Sequence, residues 1–152
     1  MKRCWSEEEL KDFWKFLPEE KELLGNKVGL QKFLYLLILK YYSIDYSFPD
    51  SISQIPEAII NFGIKQFSAA ITPDHINEFL NSYDNYHRYQ SEIRKHYSVF
   101  QYSEIDQAIF KKHIYKIALD TINQDKIEAE ILLLFKRHKI ERPNDSTLQS
   151  LI

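Results

Sequence analysis

Residues 27–42 read KVGLQKFLYLLILKYY, and the reading of this stretch decides the fold. Apolar side chains fill nearly every position: Val28, Leu30, Phe33, Leu34, Tyr35, Leu36, Leu37, Ile38, Leu39, Tyr41 and Tyr42. A helix that is apolar all round is a buried one. The alternative is a strand, but strands are typically only about 5–6 residues long, and this run is far longer. The stretch therefore predicts an all-α protein, a multi-helix bundle of about 7–9 helices around a buried central helix spanning 27–42.

The flanking sequence supplies the other helices. Upstream, Ser6-Glu7-Glu8-Glu9 has the capping-box pattern, in which a hydroxyl and a glutamate satisfy free amides at a helix start. Leu10, Phe13, Trp14 and Leu17 follow at the spacing of one apolar face. Pro18 then opens a second short helix with Glu19, Glu20 and Glu22 at its positive end, and Gly25-Asn26 stops it. Downstream, residues 43–53 read as a loop and Pro56 as a helix start, and Thr72-Pro73-Asp74 pairs a cap with a proline. A Tyr-, His- and Arg-rich helix is expected over 83–97. Ser103 and Asp125 are expected to cap two more, carrying Ile105, Ile109, Phe110, Ile114, Ile117 and Leu119, then Ile127, Ile131, Leu132, Leu134 and Phe135. Pro143 closes the last of these. Leu148, Leu151 and Ile152 read as the start of one further helix, as in a fragment cut from a longer protein. The 152 residues suffice for one compact domain, or for two small helical units, 1–80 and 81–152, sharing a core.

Composition narrows the function classes. One cysteine, Cys4, rules out an intrachain disulfide and suits a reducing, cytoplasmic setting. Met1-Lys2-Arg3 is followed by acidic residues where a secretory signal needs an apolar segment, so no leader is expected. The longest apolar run, 33–39, is far short of the roughly 20 residues of a membrane helix. Phosphate-binding glycine loops, nucleophile elbows and paired metal-binding histidines are all missing. The expectation is a chain with no catalytic residues, no metal and no cofactor, and no membrane partner.

Net charge is −2, but it is unevenly spread. Residues 1–84 hold 9 Lys/Arg against 13 Asp/Glu, whereas 85–152 hold 11 against 9 and four of the five histidines. Any contact with nucleic acid must therefore come from local arrangement and not from bulk charge. Three groups qualify. The first is His87-Arg88 with Arg94, Lys95 and His96, set on a helix opposite Tyr86, Tyr89 and Ile93. The second is Lys111-Lys112 with Lys116, in which Lys112 and Lys116 are an i, i+4 pair. The third is Lys136-Arg137-His138-Lys139 with Arg142, at a helix C-terminus. Each has a plainer reading: the third complements a helix dipole, the second is a solvated face, and Arg94 pairs with Glu92 or a loop carboxylate.

The order of these pieces carries a resemblance. Met1-Lys2-Arg3, Trp5-Ser6-Glu7-Glu8-Glu9-Leu10, Trp14, Leu23-Leu24-Gly25-Asn26-Lys27 and Gly29 resemble the start of Tn-three family transposases. So do Leu37 to Tyr42, Phe48-Pro49, Ile55-Pro56, Glu92-Ile93-Arg94, and the ending from Leu132 to Arg142 with Pro143 and Leu148. The chain departs from the family at Lys32 to Leu36, at Tyr89-Gln90 and at Ser98-Val99-Phe100, where two expected arginines are missing. The resemblance implies a helical N-terminal region that recognises the terminal inverted repeats of a bacterial transposon. Cleavage and strand transfer are then left to a distant domain with an acidic triad. Double-stranded DNA at the transposon ends and the remaining transposase domains are the implied partners, and a nucleoid-associated site in the cytoplasm the implied location. The implied DNA-binding set is Lys32, Arg88, Arg94, Lys95, Lys112, Lys116, Lys136, Arg137, Lys139 and Arg142. A second reading is a helical module that docks on another transposase domain or self-associates.

Overall fold

The computed structural model describes residues 1–17, 20, 24–25, 27–67, 70–99 and 104–151, with no side-chain description for 104–107, 109 and 151. Among them are eight α-helices, one 3₁₀ turn (Ile52–Gln54) and no strand. The helices are α1 (Glu7–Phe13), α2 (Gly29–Asp45), α3 (Glu57–Phe67), α4 (Pro73–Leu80), α5 (Tyr83–Tyr97), α6 (Glu104–Asp120), α7 (Gln124–His138) and α8 (Asp145–Leu151). The helix expected at Pro18, its stop at Asn26, the cap at Ser103, the packing of Ile105 and Ile109, and the ends of Leu151 and Ile152 lie outside the described residues. None of the described helices is long and apolar enough to cross a membrane.

The described chain divides into two compact units: Met1–Ile44 with Phe48–Ile93, and Asp45–Ser47 with Arg94–Ile152. The division thus falls inside α5 and not at the expected 80/81 point. Tyr86, Tyr89 and Ile93 bury themselves among first-unit residues, so the helix cannot be assigned whole to the second.

In the first unit, α2 is the central element. Every residue from Phe33 to Tyr42 is buried, as an all-round apolar helix requires. Its first turn is different: Val28 and Leu30 are exposed, and Gly29 turns the chain with φ 58, a conformation open to glycine without steric penalty. The helix also runs on to Asp45, into the stretch expected to be loop. α1 opens on the expected capping box, with the Glu9 amide donating to Ser6 Oγ at 3.2 Å. It stops at Phe13, so Phe13 and Leu17 stay exposed while Trp14 and Phe16 turn inward. Gln66 of α3 fixes that turn by accepting from the Phe16 amide and donating to the Trp14 carbonyl, both at 3.1 Å. α4 starts at Pro73 as expected, and His75 Nδ1 accepts from the Thr72 amide at 3.1 Å. α5 buries its tyrosine face, with Tyr89 edge-on to Tyr35 at 5.4 Å and the Tyr86 hydroxyl donating to the Pro49 carbonyl at 2.5 Å.

α3 meets α2 through a small residue. A Cβ added at Gly63 would lie 3.1 Å from Phe33 Cε2, and Phe33 is wholly buried with its ring edge-on to Phe67. Alanine gains about 1 kcal/mol of helix propensity, while overpacking a tight core costs about 1–3 kcal/mol. Gly63→Ala is therefore expected to lower stability by about 1 kcal/mol in urea unfolding. An unchanged or raised midpoint would show that Phe33 has room to move.

In the second unit, α6 and α7 form an antiparallel hairpin. Phe110 stacks on Phe135 at 4.4 Å, and Ile114, Ile127, Ile131 and Leu134 complete the seam, with Leu148 of α8 also buried. α7 is capped by Asn123, whose Oδ1 accepts from the Lys126 amide at 3.2 Å; Asp125 lies within the first turn and is not the cap. Leu119, expected on the inward face of α6, points to solvent.

Candidate nucleic-acid interface

Two arginines of the expected DNA-binding set hold the second unit together. Arg142, just beyond α7, donates to Asp45 Oδ2 at 2.6 Å, Ser47 Oγ at 3.0 Å and Asp145 Oδ1 at 2.8 Å, while its amide donates to the Tyr46 carbonyl at 2.9 Å. The Arg142 and Asp45 side chains are only 10% and 8% exposed. Arg94 grips Glu141 in bidentate fashion, at 2.6 and 3.1 Å. Within the second unit, the segment from Ile140 to Pro143 is thus a strap that ties Asp45, Ser47 and Arg94 together. The buried guanidiniums are engaged by carboxylates, because a charge removed from water requires a partner. A loop carboxylate is one of the partners that the sequence suggests for Arg94; Arg142 carries no such signal.

The same cluster shapes the local titrations. Burial raises the Asp45 carboxyl, but the Arg142 charge and the Ser47 hydroxyl lower it more, and the net direction is down. Burial lowers the Lys136 ammonium, against a raising influence from Asp45. Lys136 is half-buried beside this cluster, and is less available to a ligand than its neighbours in sequence.

The remaining cations of the second unit are differently placed. Lys95, Lys111, Lys112, Lys116, Lys126, Arg137 and Lys139 are exposed, and none is in an ion pair among the described residues. The hairpin brings two sequence-distant groups together. Ring centroids of Phe110 and His138 lie 5.7 Å apart, and those of His113 and His138 6.0 Å apart. The middle of α6, with Lys111, Lys112 and Lys116, therefore runs beside the end of α7, with Arg137 and the capping Lys139. The opposite end of the hairpin carries Asp120, Asp125 and Lys126. Among the described residues, no group of three or more His, Cys, Asp or Glu is placed to hold a metal.

Lys139 itself is strained. It terminates α7 with φ 57 and ψ 40, the left-handed cap position that glycine occupies most readily. Lys139→Gly is expected to raise stability by about 1 kcal/mol by removing the Cβ conflict. Thermal denaturation checks this, and a lowered midpoint would mean that the lysine stem packs on the hairpin.

Several cations of the first unit are engaged within it. Lys27 pairs with Glu92 at 2.8 Å and lies over the rings of Tyr35 and Tyr89, at 4.6 and 5.2 Å. The buried Lys40 pairs with Glu20. Of the expected contacts here, Lys32 is half-buried, and Arg88 is exposed with its guanidinium 5.5 Å from the Tyr89 ring centroid.

Comparison with protein families places this arrangement. The family described as Domain of unknown function (DUF4158) matches residues 1–152, the whole chain. The chain belongs to this family. No curated protein and no solved structure matches it. Among the described residues, this DUF4158 domain thus combines a helical scaffold, two arginine–carboxylate clamps and a group of exposed lysines on the hairpin. Sequence reasoning missed Tyr115 and Leu119, which share the outward face of α6 with the lysines and are 67% and 69% exposed. The signal was present, because positions 112, 115, 116 and 119 follow the i, i+3, i+4, i+7 spacing of one helix face.

Proposed function

We propose that this domain binds double-stranded DNA as the end-recognition region of a Tn-three family transposase and performs no chemistry itself. The observation that carries the reading is the edge formed by Lys111, Lys112, Lys116, Arg137 and Lys139, exposed and free of ion pairs among the described residues. Phosphate contacts from such groups fix register and supply salt-dependent affinity. Lys95 is a further phosphate contact in this reading. Arg94 and Arg142 are not, because their guanidiniums are engaged by carboxylates. The resemblance of the chain to the N-terminal region of those transposases supplies the target, the terminal inverted repeats, and the other partner, the rest of the transposase in the bacterial cytoplasm.

The test is a mobility-shift titration on the terminal repeat of the element that encodes the chain, with scrambled duplex of equal length as the control. Tighter binding to the repeat, weakening steeply with salt, is the expected result. Equal weak binding to both duplexes would remove the specificity claim, and no binding would remove the DNA reading.

A second reading, a helical module that docks on other transposase domains, is favoured by Phe13, Leu17, Val28 and Leu30 of the first unit, all exposed. Tyrosines, amphipathic side chains suited to docking, add little to it, because Tyr35, Tyr41, Tyr42, Tyr46, Tyr86 and Tyr89 are buried.

A further inference from the structure

Resting on the DNA-binding reading, the geometry points to α6 as the helix that enters a groove of the duplex, with Tyr115 and Leu119 reading bases between flanking lysines. α6 spans Glu104–Asp120, about 25 Å at 1.5 Å per residue. It is anchored by one narrow strip: Phe110 and Ile114 are buried, His113 and Ile117 half-buried. The rest of its described surface is open. Residues 108, 111, 112, 115, 116, 118, 119 and 120 are all exposed. A helix that serves only as a solvated cover carries polar residues there. α6 instead places a large aromatic and a leucine at the centre of its outward face, with Lys111 on one side and Lys112 and Lys116 on the other.

This pattern matches a duplex better than a solvent boundary. A helix with side chains is about 10–12 Å across, and the major groove is about 12 Å wide. Lysines on the two sides of the helix reach phosphates on the two groove walls. The central side chains meet base edges, where the 5-methyl group of thymine is the apolar feature available.

The experiment is a binding selection from a library of duplexes with a randomised 20-bp core, using the full chain. Three proteins are compared: the natural sequence, Tyr115→Ala/Leu119→Ala, and Lys112→Ala/Lys116→Ala. All four positions are exposed, so helical circular dichroism is expected to stay native in each. The natural sequence is expected to enrich a motif containing thymines, and enrichment at those thymines falls at least tenfold when deoxyuridine replaces thymidine. The Tyr115/Leu119 variant keeps its total retention within about threefold and the same salt slope, but loses the motif. The lysine variant weakens all duplexes alike and shallows the salt slope by about 1.8, at about 0.9 per contact.

If the Tyr115/Leu119 variant selects the same motif as the natural sequence, the assignment of α6 is overturned while DNA binding stands. The assignment also falls if that change alters only self-association in sedimentation, which would make the face a protein contact. If the natural sequence retains no duplex at all, the functional reading fails together with this inference.

Discussion

Arg142→Ala is expected to unfold the second unit. The change takes the Arg142 guanidinium away from the buried Asp45 carboxylate, and frees Ser47, Asp145 and the strap from their common donor. Removing one partner of a buried pair costs roughly 3–5 kcal/mol, because the remaining charge is stranded away from water. In a domain of this size that lowers the thermal midpoint by about 10–20 °C. Arg142→Lys retains the charge but not the planar fork that serves several acceptors at once, so it recovers only part of the loss. Asp45→Asn/Arg142→Met removes both charges and is expected to lie well above the single alanine variant. A native midpoint for Arg142→Ala would show that Asp45 finds another partner. The pH dependence has a definite sign. The folded Asp45 carboxyl lies below its ordinary value, so its contribution is complete above the unfolded pKa, about 3.9. It is lost as pH falls through the lowered folded value. Acid unfolding followed by near-ultraviolet circular dichroism should therefore show loss of packing below about pH 4, with Asp45→Asn/Arg142→Met less sensitive.

The second large effect is on binding. Lys112→Ala/Lys116→Ala/Arg137→Ala/Lys139→Ala removes four exposed cations and no partner of a described ion pair. Each lost phosphate contact shallows the slope of log affinity against log salt by about 0.9, a total of about 3.6 for four contacts. At 0.1 M salt the loss in affinity is on the order of 10²–10³. Stability is expected to hold, because all four side chains are exposed; the left-handed cap at position 139 stays as strained with alanine as with lysine. Fluorescence anisotropy at several salt concentrations checks both the slope and the affinity. A quadruple variant that binds as tightly as the natural sequence would move the interface away from the hairpin. An Arg94→Ala change separates the two mechanisms, since it breaks the Glu141 pair and reports on folding before binding.

The fold was legible because burial leaves a periodic trace. The run from Phe33 to Tyr42 carries no polar face except Lys40, and that lysine is buried against Glu20. Caps with local chemistry were equally readable, as at Ser6 and Thr72. Asn123 was overlooked in favour of Asp125 because both residue types cap helices and only backbone geometry tells them apart. The limits of α1 and α2 shifted for a related reason. Their ends depend on Gln66 and on the Arg142 contacts of Asp45, both distant in sequence. The candidate site was half legible. Exposed cations at helical spacing, such as Lys112 and Lys116, could be anticipated from position alone. Arg94 and Arg142 could not be told from them, since a ligand-facing and a clamping arginine look alike until the carboxylate opposite is known. Leu119 misled in the reverse direction, because helical spacing marks a face without saying which way it points.

Asp45–Ser47 belong to the second unit although the chain on either side of them belongs to the first. The Asp45–Arg142 pair closes over 97 positions, the kind of long-range contact that slows folding. During synthesis on the ribosome, that carboxylate waits for 97 further residues before Arg142 emerges. Deletion mapping inherits the same constraint. A fragment beginning at Arg94 lacks Asp45 altogether, so its failure to bind DNA would report a broken clamp and say nothing about where the duplex lies. Point substitutions on the outer face of α6, made in the intact polypeptide, avoid that confusion.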